Sequence, residues 1–363
     1  MSVFDHREFD HHESIHYFDD PDIGLRAIIA IHSTALGPAA GGCRRWQYAT
    51  DSDALTDVLR LSRGMTYKNA VAGLPFGGGK SVILASDKAP KSAALFHAFG
   101  RLVDSLGGAY ITAEDVGINV DDMRKVHKET RYVSGLPQSG DSAGGDPSPW
   151  TALGVFLGVE AAAGTRLGVA SLEGLTVALQ GVGHVGYHLC RRLSEAGANL
   201  IVADVNRNNL RRAVTEFDAT ELSPREILFA DADVLAPCAL GNVLNSETIP
   251  RIRAKVVAGA ANNQLAASID GQRLADRGIL YAPDYVINAG GVISVAREYL
   301  GQSSEQEVSN EVAGIPARLD EIFSKAANEK RPTNEIADEL ARRIVASAHK
   351  KRCKSGPRPA TAA

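Results

Sequence analysis

Cysteine is scarce in this chain of 363 residues. There are four cysteines, at positions 43, 190, 238 and 353, with no C-x-x-C pair and no histidine at metal-ligand spacing. This argues against a disulfide scaffold or zinc module and favours a reducing cytoplasm. The chain also lacks an apolar run of about 18 residues and a signal peptide, so we expect neither a membrane span nor secretion.

Net charge is also small. The 39 basic and 43 acidic residues leave a formal charge of -4, which gives no reason to expect nucleic acid or an anionic membrane as a partner. What is present, 44% hydrophobic and 23% charged residues, is typical of a globular protein long enough for two domains.

The N-terminal part alternates strand and helix patterns. Residues 25–32 form an apolar, β-branched run that predicts a strand, and residues 89–106 have helical spacing. Residues 134–149 are rich in Gly, Ser, Asp and Pro, a composition that predicts a linker. We therefore expect an α/β domain before this segment and a second domain after it.

The second domain carries the pattern of a βαβ crossover. A strand at 175–180 is followed by a glycine turn, a helix that ends near Ala196, and a strand at 199–204. Further buried strands are predicted at 233–237 and 255–260. These elements predict a doubly wound sheet.

The glycine turn fits G-x-G-x-x-G, between a predicted strand and a predicted helix. Gly181 permits the tight turn, Gly183 lets a pyrophosphate approach the backbone, and Gly186 lets the helix pack on the strand. The helix N-terminus offers free N–H groups to the anion. The intervening residues of this predicted dinucleotide loop are Val182, His184 and Val185.

An acidic residue, Asp204, closes the next strand about 20 residues further on. Its carboxylate would accept hydrogen bonds from the adenosine ribose and repel a 2′-phosphate. This predicts NAD rather than NADP as the cofactor, a preference that Arg207 weakens slightly.

Residues 73–81 look like a phosphate loop but differ from one in spacing. Five residues separate Gly73 from Gly79, where the phosphate loop has four, and the loop lies between a helix and a strand rather than the reverse. We interpret it as a tight glycine turn that presents Lys80, near Lys68 of the preceding helix, and that leaves room for a ligand. The rival interpretation is an ATP-binding protein without redox chemistry.

Lysines near an acidic residue suit amine and carbonyl chemistry. The candidates are Lys68, Lys80 and the acidic pair Glu114 and Asp115. A desolvated lysine beside another cation loses its proton more readily and can act as a base, while the other lysine can neutralise a substrate carboxylate.

These segments together resemble the leucine, phenylalanine and valine dehydrogenases, relatives of glutamate dehydrogenase. The resemblance extends over almost the whole chain. It is carried in order by Leu36-Gly-Pro-Ala-Ala-Gly-Gly-Cys-Arg, Arg63-Gly-Met-Thr-Tyr-Lys-Asn-Ala, Gly77-Gly-Gly-Lys-Ser, Thr112-Ala-Glu-Asp-Val-Gly, Pro147-Ser-Pro-Trp-Thr-Ala, Gly259-Ala-Ala-Asn-Asn-Gln-Leu and Asp284-Tyr-Val-Ile-Asn-Ala-Gly-Gly-Val.

The resemblance implies a reversible oxidative deamination, in which an L-amino acid, NAD and water give a 2-oxo acid, ammonium and NADH. It implies that Lys68 holds the substrate carboxylate, Lys80 activates water and Asp115 transfers protons at the amine. Thr151 and Asn262 would orient the nicotinamide. The other substrate-binding residues that it implies are Ala40, Gly41, Gly42, Met65, Ala113, Asn288, Val292 and Val295.

Two of these positions bear on the substrate side chain. Glutamate dehydrogenases have a lysine where this chain has Ala40 and a serine where it has Val295, so a buried acidic side chain would lack a partner. We expect an apolar substrate. Ala40 resembles the residue that phenylalanine dehydrogenases have at this position, whereas Ala113 and Gly117 follow the leucine dehydrogenases. Several apolar amino acids therefore remain candidate substrates.

The resemblance also implies the domain plan. Residues 1–145 would form a substrate-binding, catalytic and oligomerisation domain, and residues 146–330 a Rossmann-type NAD domain with a cleft between the two. Residues 331–363 would form a C-terminal helix that packs towards the first domain, with a disordered basic tail from Lys350. We expect a homo-oligomer with small-molecule partners. We expect no metal site, because the N-terminal histidines His6, His11, His12 and His16 look like surface residues.

Overall fold

The computed structural model describes residues 2–86, 90–136, 146–302 and 304–355. They divide into two compact units, the first from within 1–145, 295–302 and 341–363, and the second from within 146–294 and 303–340. The mixed α/β fold class is confirmed. Residues 295–302 fall in the first unit and residues 331–340 in the second, which differs from the predicted limits 146–330 and 331–363.

The first unit is built on a six-stranded mixed sheet. Its strands run in the order β1-β2-β5-β3-β6, and β4 pairs with β5 beyond the end of β3. The strands β1, β2 and β5 pair antiparallel, and the remaining pairs are parallel. The bounds are β1 (Ser14–Asp20), β2 (Leu25–Ser33), β3 (Ala39–Ala40), β4 (Cys43–Trp46), β5 (Gly77–Leu84), β6 (Tyr110–Ile111), α1 (Asp51–Val71), α2 (Ala93–Ser105) and α3 (Val120–His127).

Helix α1 packs on one face of this sheet. It begins with a capping box in which the Thr50 side chain accepts from the Asp53 amide and the Asp53 carboxylate accepts from the Thr50 amide. Val58 and Leu59 of α1 pack with Ile28 and Val82 of the sheet. The opposite face is covered by an apolar cluster that includes residues of α2 and α3.

The second unit contains a six-stranded sheet of parallel strands. Its order is β9-β8-β7-β10-β11-β12, which is the 3-2-1-4-5-6 order of a Rossmann fold. The strands are β7 (Thr176–Gln180), β8 (Asn199–Ala203), β9 (Thr220–Glu221), β10 (Val234–Pro237), β11 (Val256–Val257) and β12 (Leu280–Tyr281). The predicted doubly wound sheet is therefore correct.

The remaining helices follow the linker region. Helix α4 ends at a glycine with φ of 72°, a left-handed conformation that favours glycine at a helix C-terminus. The bounds are α4 (Ser148–Leu167), α5 (His184–Glu195), α6 (Arg207–Phe217), α7 (Ile269–Asp276), α8 (Asp284–Ile287), α9 (Gly290–Tyr299), α10 (Glu305–Val312), α11 (Ile315–Glu329) and α12 (Thr333–Ser355). None of the described helices is both long and apolar enough to cross a membrane.

Three local predictions are corrected. Helix α2 begins at Ala93, after the Ser92 cap, rather than at residue 89. Helix α4 begins at Ser148, so the end of the predicted linker is helical, while residues 137–145 lie outside the described ranges. The prediction of disorder from Lys350 is wrong as far as Ser355, where α12 ends, and residues 356–363 lie outside the described ranges.

One of the N-terminal histidines is not a surface residue. His12 is buried, and its Nε2 lies 3.1 Å from both Leu59 O and Ser62 Oγ of α1. Its ring contacts the buried His32 ring edge-on at 4.8 Å. His12 therefore helps to attach the N-terminal segment to α1.

Candidate active site

Lys80 lies in the middle of β5. Because side chains alternate along a strand, Lys80 shares a sheet face with Gly78 and Val82, which is the face that α1 covers. Only 6% of Lys80 is exposed, and its Nζ lies 2.8 Å from Asp115 Oδ2. The structure therefore brings the two predicted catalytic residues together as a shielded ion pair.

Asp115 belongs to the segment that follows β6. Burial would raise the pKa of this carboxyl group, but Lys80, Arg44 and the backbone N–H of Val116 outweigh it and hold the pKa below its usual value. Arg44 Nε donates to Asp115 Oδ2 at 3.2 Å. Asp115 is therefore a carboxylate at neutral pH and can accept a proton.

The Gly41–Gly42 segment separates β3 from β4 and touches this pair. Tyr110, fully buried, donates from its hydroxyl to Gly41 O at 2.6 Å. A Cβ on Gly42 would lie 2.9 Å from Asp115 Cβ, and one on Gly41 would lie 3.0 Å from Met65 Cγ. Both glycines are thus required by close packing next to predicted site residues.

The remaining predicted residues of the first unit lie nearby. Met65 and Lys68 are half-buried and three residues apart in α1, so they lie on one side of that helix. Ala40 pairs with Ile111, and Cys43 N donates to Ala113 O at 2.8 Å. Lys68 and Lys80 belong to elements that pack against each other, and their direct proximity stays a prediction.

The predicted glycine turn before Lys80 is wrong. Gly77, Gly78 and Gly79 are strand residues of β5, and the space beside them is filled by protein rather than left for a ligand. A Cβ on Gly77 would lie 1.9 Å from Ser33 O, one on Gly78 2.0 Å from Thr66 N, and one on Gly79 2.8 Å from the Tyr110 ring. These glycines let α1 and neighbouring backbone approach the sheet, and an extended strand cannot curl around a phosphate.

In the second unit, Gly181, Val182 and Gly183 of the predicted dinucleotide loop join β7 to α5, and His184, Val185 and Gly186 lie in the first turn of that helix. Gly181 has φ of 94°, and a Cβ on Gly186 would lie 2.1 Å from Gly181 O, so both positions require glycine for internal reasons. Gly183, the N-cap of α5, differs because a Cβ there would have no atom of the described residues within 4 Å, apart from its chain neighbours. Gly183 gives the N-terminal amides of α5 no side-chain hydrogen bond, and such amides suit an anion.

Asp204 is placed at the end of β8 next to this loop. Its Oδ2 accepts from the Val182 amide at 2.8 Å and its Oδ1 from the Asn206 amide at 2.7 Å. Arg207, expected to weaken a preference for NAD, forms an ion pair with Glu221 at 2.6 Å. Val205, just after β8, and Leu240, just after β10, have exposed hydrophobic side chains.

Asn288 and Asn262 are in direct contact. Asn288 is buried, and its Nδ2 donates to Asn262 Oδ1 at 2.8 Å and to Ala260 O at 3.0 Å. Within the described ranges no donor reaches the buried Oδ1 of Asn288. An unpaired buried acceptor is costly, and a bound ligand could satisfy it.

The last three predicted residues lie in or near α4 and α9. Thr151 donates from its hydroxyl to Pro147 O at 3.0 Å, and a Cβ on Gly291 would lie 2.4 Å from that hydroxyl oxygen. Val292 and Val295 are both half-buried, the former in the second unit and the latter in the first.

Three residues that extend the ion pair were not predicted from the sequence. Arg44 contacts Asp57 of α1 through Nη1 at 2.9 Å, and Tyr48 donates from its hydroxyl to Asp57 Oδ2 at 2.6 Å. Arg44 is part of a segment that carries the family resemblance, so its position was visible, but its partners are distant in sequence. Only the strand register, which pairs Arg44 with Val82, identifies the face on which it lies.

Comparison with known proteins identifies the family. Residues 12–132 match the family described as Glu/Leu/Phe/Val dehydrogenase, dimerisation domain, and residues 202–353 match Glutamate/Leucine/Phenylalanine/Valine dehydrogenase. The chain belongs to this family. It is an amino acid dehydrogenase, an oxidoreductase that acts on CH–NH2 donors.

Individual relatives cover nearly the full chain of this family member. It is 50% identical over 353 residues to leucine dehydrogenase from Thermoactinomyces intermedius, and the aligned region covers 97% of this chain and 96% of the relative. It is 43% identical over 339 residues to phenylalanine dehydrogenase from Bacillus thermotolerans, with 92% and 88% covered. The crystal structure of L-tryptophan dehydrogenase from Nostoc punctiforme has a TM-score of 0.82 and 44% identity, with 94% and 97% covered.

Proposed function

We propose that this dehydrogenase converts an L-amino acid with an apolar side chain, NAD and water into the 2-oxo acid, ammonium and NADH, and that it also catalyses the reverse reaction. The ion pair of Lys80 with Asp115, 2.8 Å apart and largely shielded from solvent, is the observation that carries the proposal. It places two groups that can exchange protons at one point.

Each charged residue has a distinct proposed role. Lys68 binds the substrate carboxylate, and Asp115 accepts a proton from the substrate amine, which leaves the amine lone pair free. NAD, when bound, supplies the hydride acceptor for the α-carbon. Lys80, acting in its neutral form after its proton has passed to solvent, then takes a proton from the water that adds to the resulting iminium carbon, and Asp115 returns its proton to the nitrogen. The carbinolamine collapses as its hydroxyl proton passes to Asp115 and ammonia departs.

The residues of the second unit fit a dinucleotide. Gly183 leaves open space at the N-terminus of α5, where a pyrophosphate would meet free amides. The unpaired Oδ1 of Asn288 can accept from a substrate ammonium or a carboxamide N–H. Thr151 and Asn262 are proposed to orient the nicotinamide.

The proposed preference for NAD over NADP rests on the charges at the end of β8. Asp204 places a carboxylate where the adenosine ribose would lie, and a 2′-phosphate would be repelled. Arg207 is already paired with Glu221, which reduces its capacity to neutralise such a phosphate.

The proposed apolar substrate rests on two positions without charge. Ala40 and Val295 offer no hydrogen bond or charge to an acidic side chain, whose burial without a partner is costly. We also propose a homo-oligomer, because residues 12–132 match a domain described as a dimerisation domain.

A panel of L-amino acids with NAD and NADP tests the proposal. We expect NADH absorbance to appear with leucine, valine, phenylalanine or tryptophan, to be weak with glutamate, and to be lower with NADP. A reaction restricted to glutamate would contradict the apolar assignment, and a higher kcat/KM with NADP would contradict the role of Asp204. The absence of turnover with every amino acid would refute the proposal as a whole.

A further inference from the structure

Arg44 connects the proposed proton-transfer residue to helix α1. Its Nε donates to Asp115 Oδ2 at 3.2 Å, and its Nη1 donates to Asp57 Oδ2 at 2.9 Å. Asp57 Oδ2 also accepts from the Tyr48 hydroxyl at 2.6 Å. The four charged groups therefore form one row: Lys80, Asp115, Arg44 and Asp57.

This row depends on the shape of the guanidinium group. Arginine presents several N–H donors in a rigid plane, so two of them can meet two carboxylates in fixed directions at once. The side chains of Arg44, Asp57 and Asp115 are each about a quarter exposed, so solvent screens the charges of this row only in part. Because Asp57 belongs to a long packed helix, it holds in place the end of the row that is opposite Lys80.

Cys43, Tyr110 and Tyr48, three titratable groups close to this row, carry no charge at neutral pH. Burial raises the pKa of the Cys43 thiol to about 12 and raises the pKa of the Tyr110 hydroxyl. Burial, followed by the hydrogen bond to Asp57, raises the pKa of the Tyr48 hydroxyl. Lys80 and Arg44 both offset the charge of Asp115.

We infer that Arg44 is a positioning residue, which holds the Asp115 carboxylate against Lys80 through an anchor on Asp57. The inference rests on the proposed role of Asp115 in proton transfer. Arg44 touches no reacting atom in this scheme. Its contribution is to fix the place and the charge of the group that does.

The test compares Arg44→Met with the parent enzyme, using the apolar L-amino acid that turns over fastest with NAD. We expect kcat to fall by about 10- to 100-fold, because a displacement on the order of 1 Å in a catalytic group can cost about 100-fold. The acidic limb of the pH profile of kcat/KM should move to higher pH. Arg44 lowers the pKa of Asp115, so its loss favours the protonated carboxyl group, which must release its proton before it can accept one from the substrate.

The matched control is Arg26→Met. Arg26 of β2 also pairs with an aspartate of α1, Asp51, at 2.8 Å, but both side chains are well exposed. We expect this variant to keep the parental kcat and pH profile. An Arg44→Met enzyme whose acidic limb coincides with that of the parent would overturn the inference.

If Arg44→Met does not fold, Arg44→Lys still tests the inference. A lysine retains the charge but cannot direct two rigid donors, so kcat should still fall while the acidic limb stays near its parental position. Unchanged kcat in this variant would overturn the inference. Asp115→Asn distinguishes the role of Arg44 from that of Asp115, because an active Asp115→Asn enzyme would refute the proposed proton transfer by Asp115, whatever Arg44 does.

Discussion

Lys80 Nζ and Asp115 Oδ2 lie 2.8 Å apart on the face of the first sheet that α1 covers. The contact joins a residue of β5 to the segment after β6, which are separated by β3 in the sheet. Each side chain is thus held by a different element, and the site depends on the sheet order rather than on any local motif.

Replacement of Lys80 by methionine should remove turnover without removing cofactor binding. We expect kcat to fall by about 100- to 10,000-fold, the usual contribution of a general acid or base. Titration of NADH fluorescence should give a Kd close to that of the parent. Lys128→Met, at an exposed lysine in the same unit, is the control, and retention of activity in Lys80→Met would exclude Lys80 as the base.

The two glycine-rich segments show what the sequence could and could not predict. Gly181 and Gly186 are fixed by contacts within one short turn, so the local pattern sufficed. Gly77–Gly79 were predicted as a turn, since glycine is unfavourable inside a strand. Their real cause is the approach of Ser33, Thr66 and Tyr110, which are distant in sequence, and no local rule reveals such contacts.

The same limit applies to the charges. Lys80 and Asp115 were predicted from residue type and family resemblance, and the structure brings them together. The role of Arg44 was missed because its carboxylate partners come from α1 and from the segment after β6. The disordered tail was predicted from the basic residues after Lys350, yet α12 continues to Ser355.

His32 should make the protein less stable in mild acid. Burial, followed by the nearby His12, lowers the pKa of His32 from 6.5 to about 4 in the folded protein. The folded pKa lies below the unfolded one, so the stabilising contribution is present above pH 6.5 and is lost as the pH falls towards 4. Between pH 7 and pH 5 this loss amounts to about 2 kcal/mol.

Urea unfolding of His32→Gln and the parent at both pH values measures this effect. The variant should lose less stability than the parent on acidification, since glutamine does not titrate. His127→Gln, at an exposed histidine at the end of α3, should behave like the parent. Equal losses in His32→Gln and the parent would rule out His32 as a source of the acid sensitivity.

Gly183 and Gly186 should respond differently to alanine. At Gly183 the added Cβ enters open space, so we expect an unchanged Tm and a Kd for NAD raised about tenfold or more, equivalent to about 1.4 kcal/mol. At Gly186 the Cβ would lie 2.1 Å from Gly181 O, so the variant should be destabilised by about 1 to 3 kcal/mol. Tight NAD binding by Gly183→Ala would show that the cofactor does not approach this face of the loop.

Gly42 offers a steric test of the site that leaves every charged residue in place. An alanine Cβ there would lie 2.6 Å from Glu114 O and 2.9 Å from Asp115 Cβ, so the segment that carries Asp115 must move. We expect kcat to fall by about 100-fold, since a shift on the order of 1 Å suffices. Gly64→Ala in α1 is the control, because among the described residues no atom beyond the nearby backbone of α1 lies within 4 Å of its added Cβ. Helix propensity should stabilise this variant by about 0.5 to 1 kcal/mol. Steady-state kinetics and thermal unfolding of both variants separate the two effects. Parental kcat in a folded Gly42→Ala enzyme would show that Asp115 need not occupy its present position for catalysis.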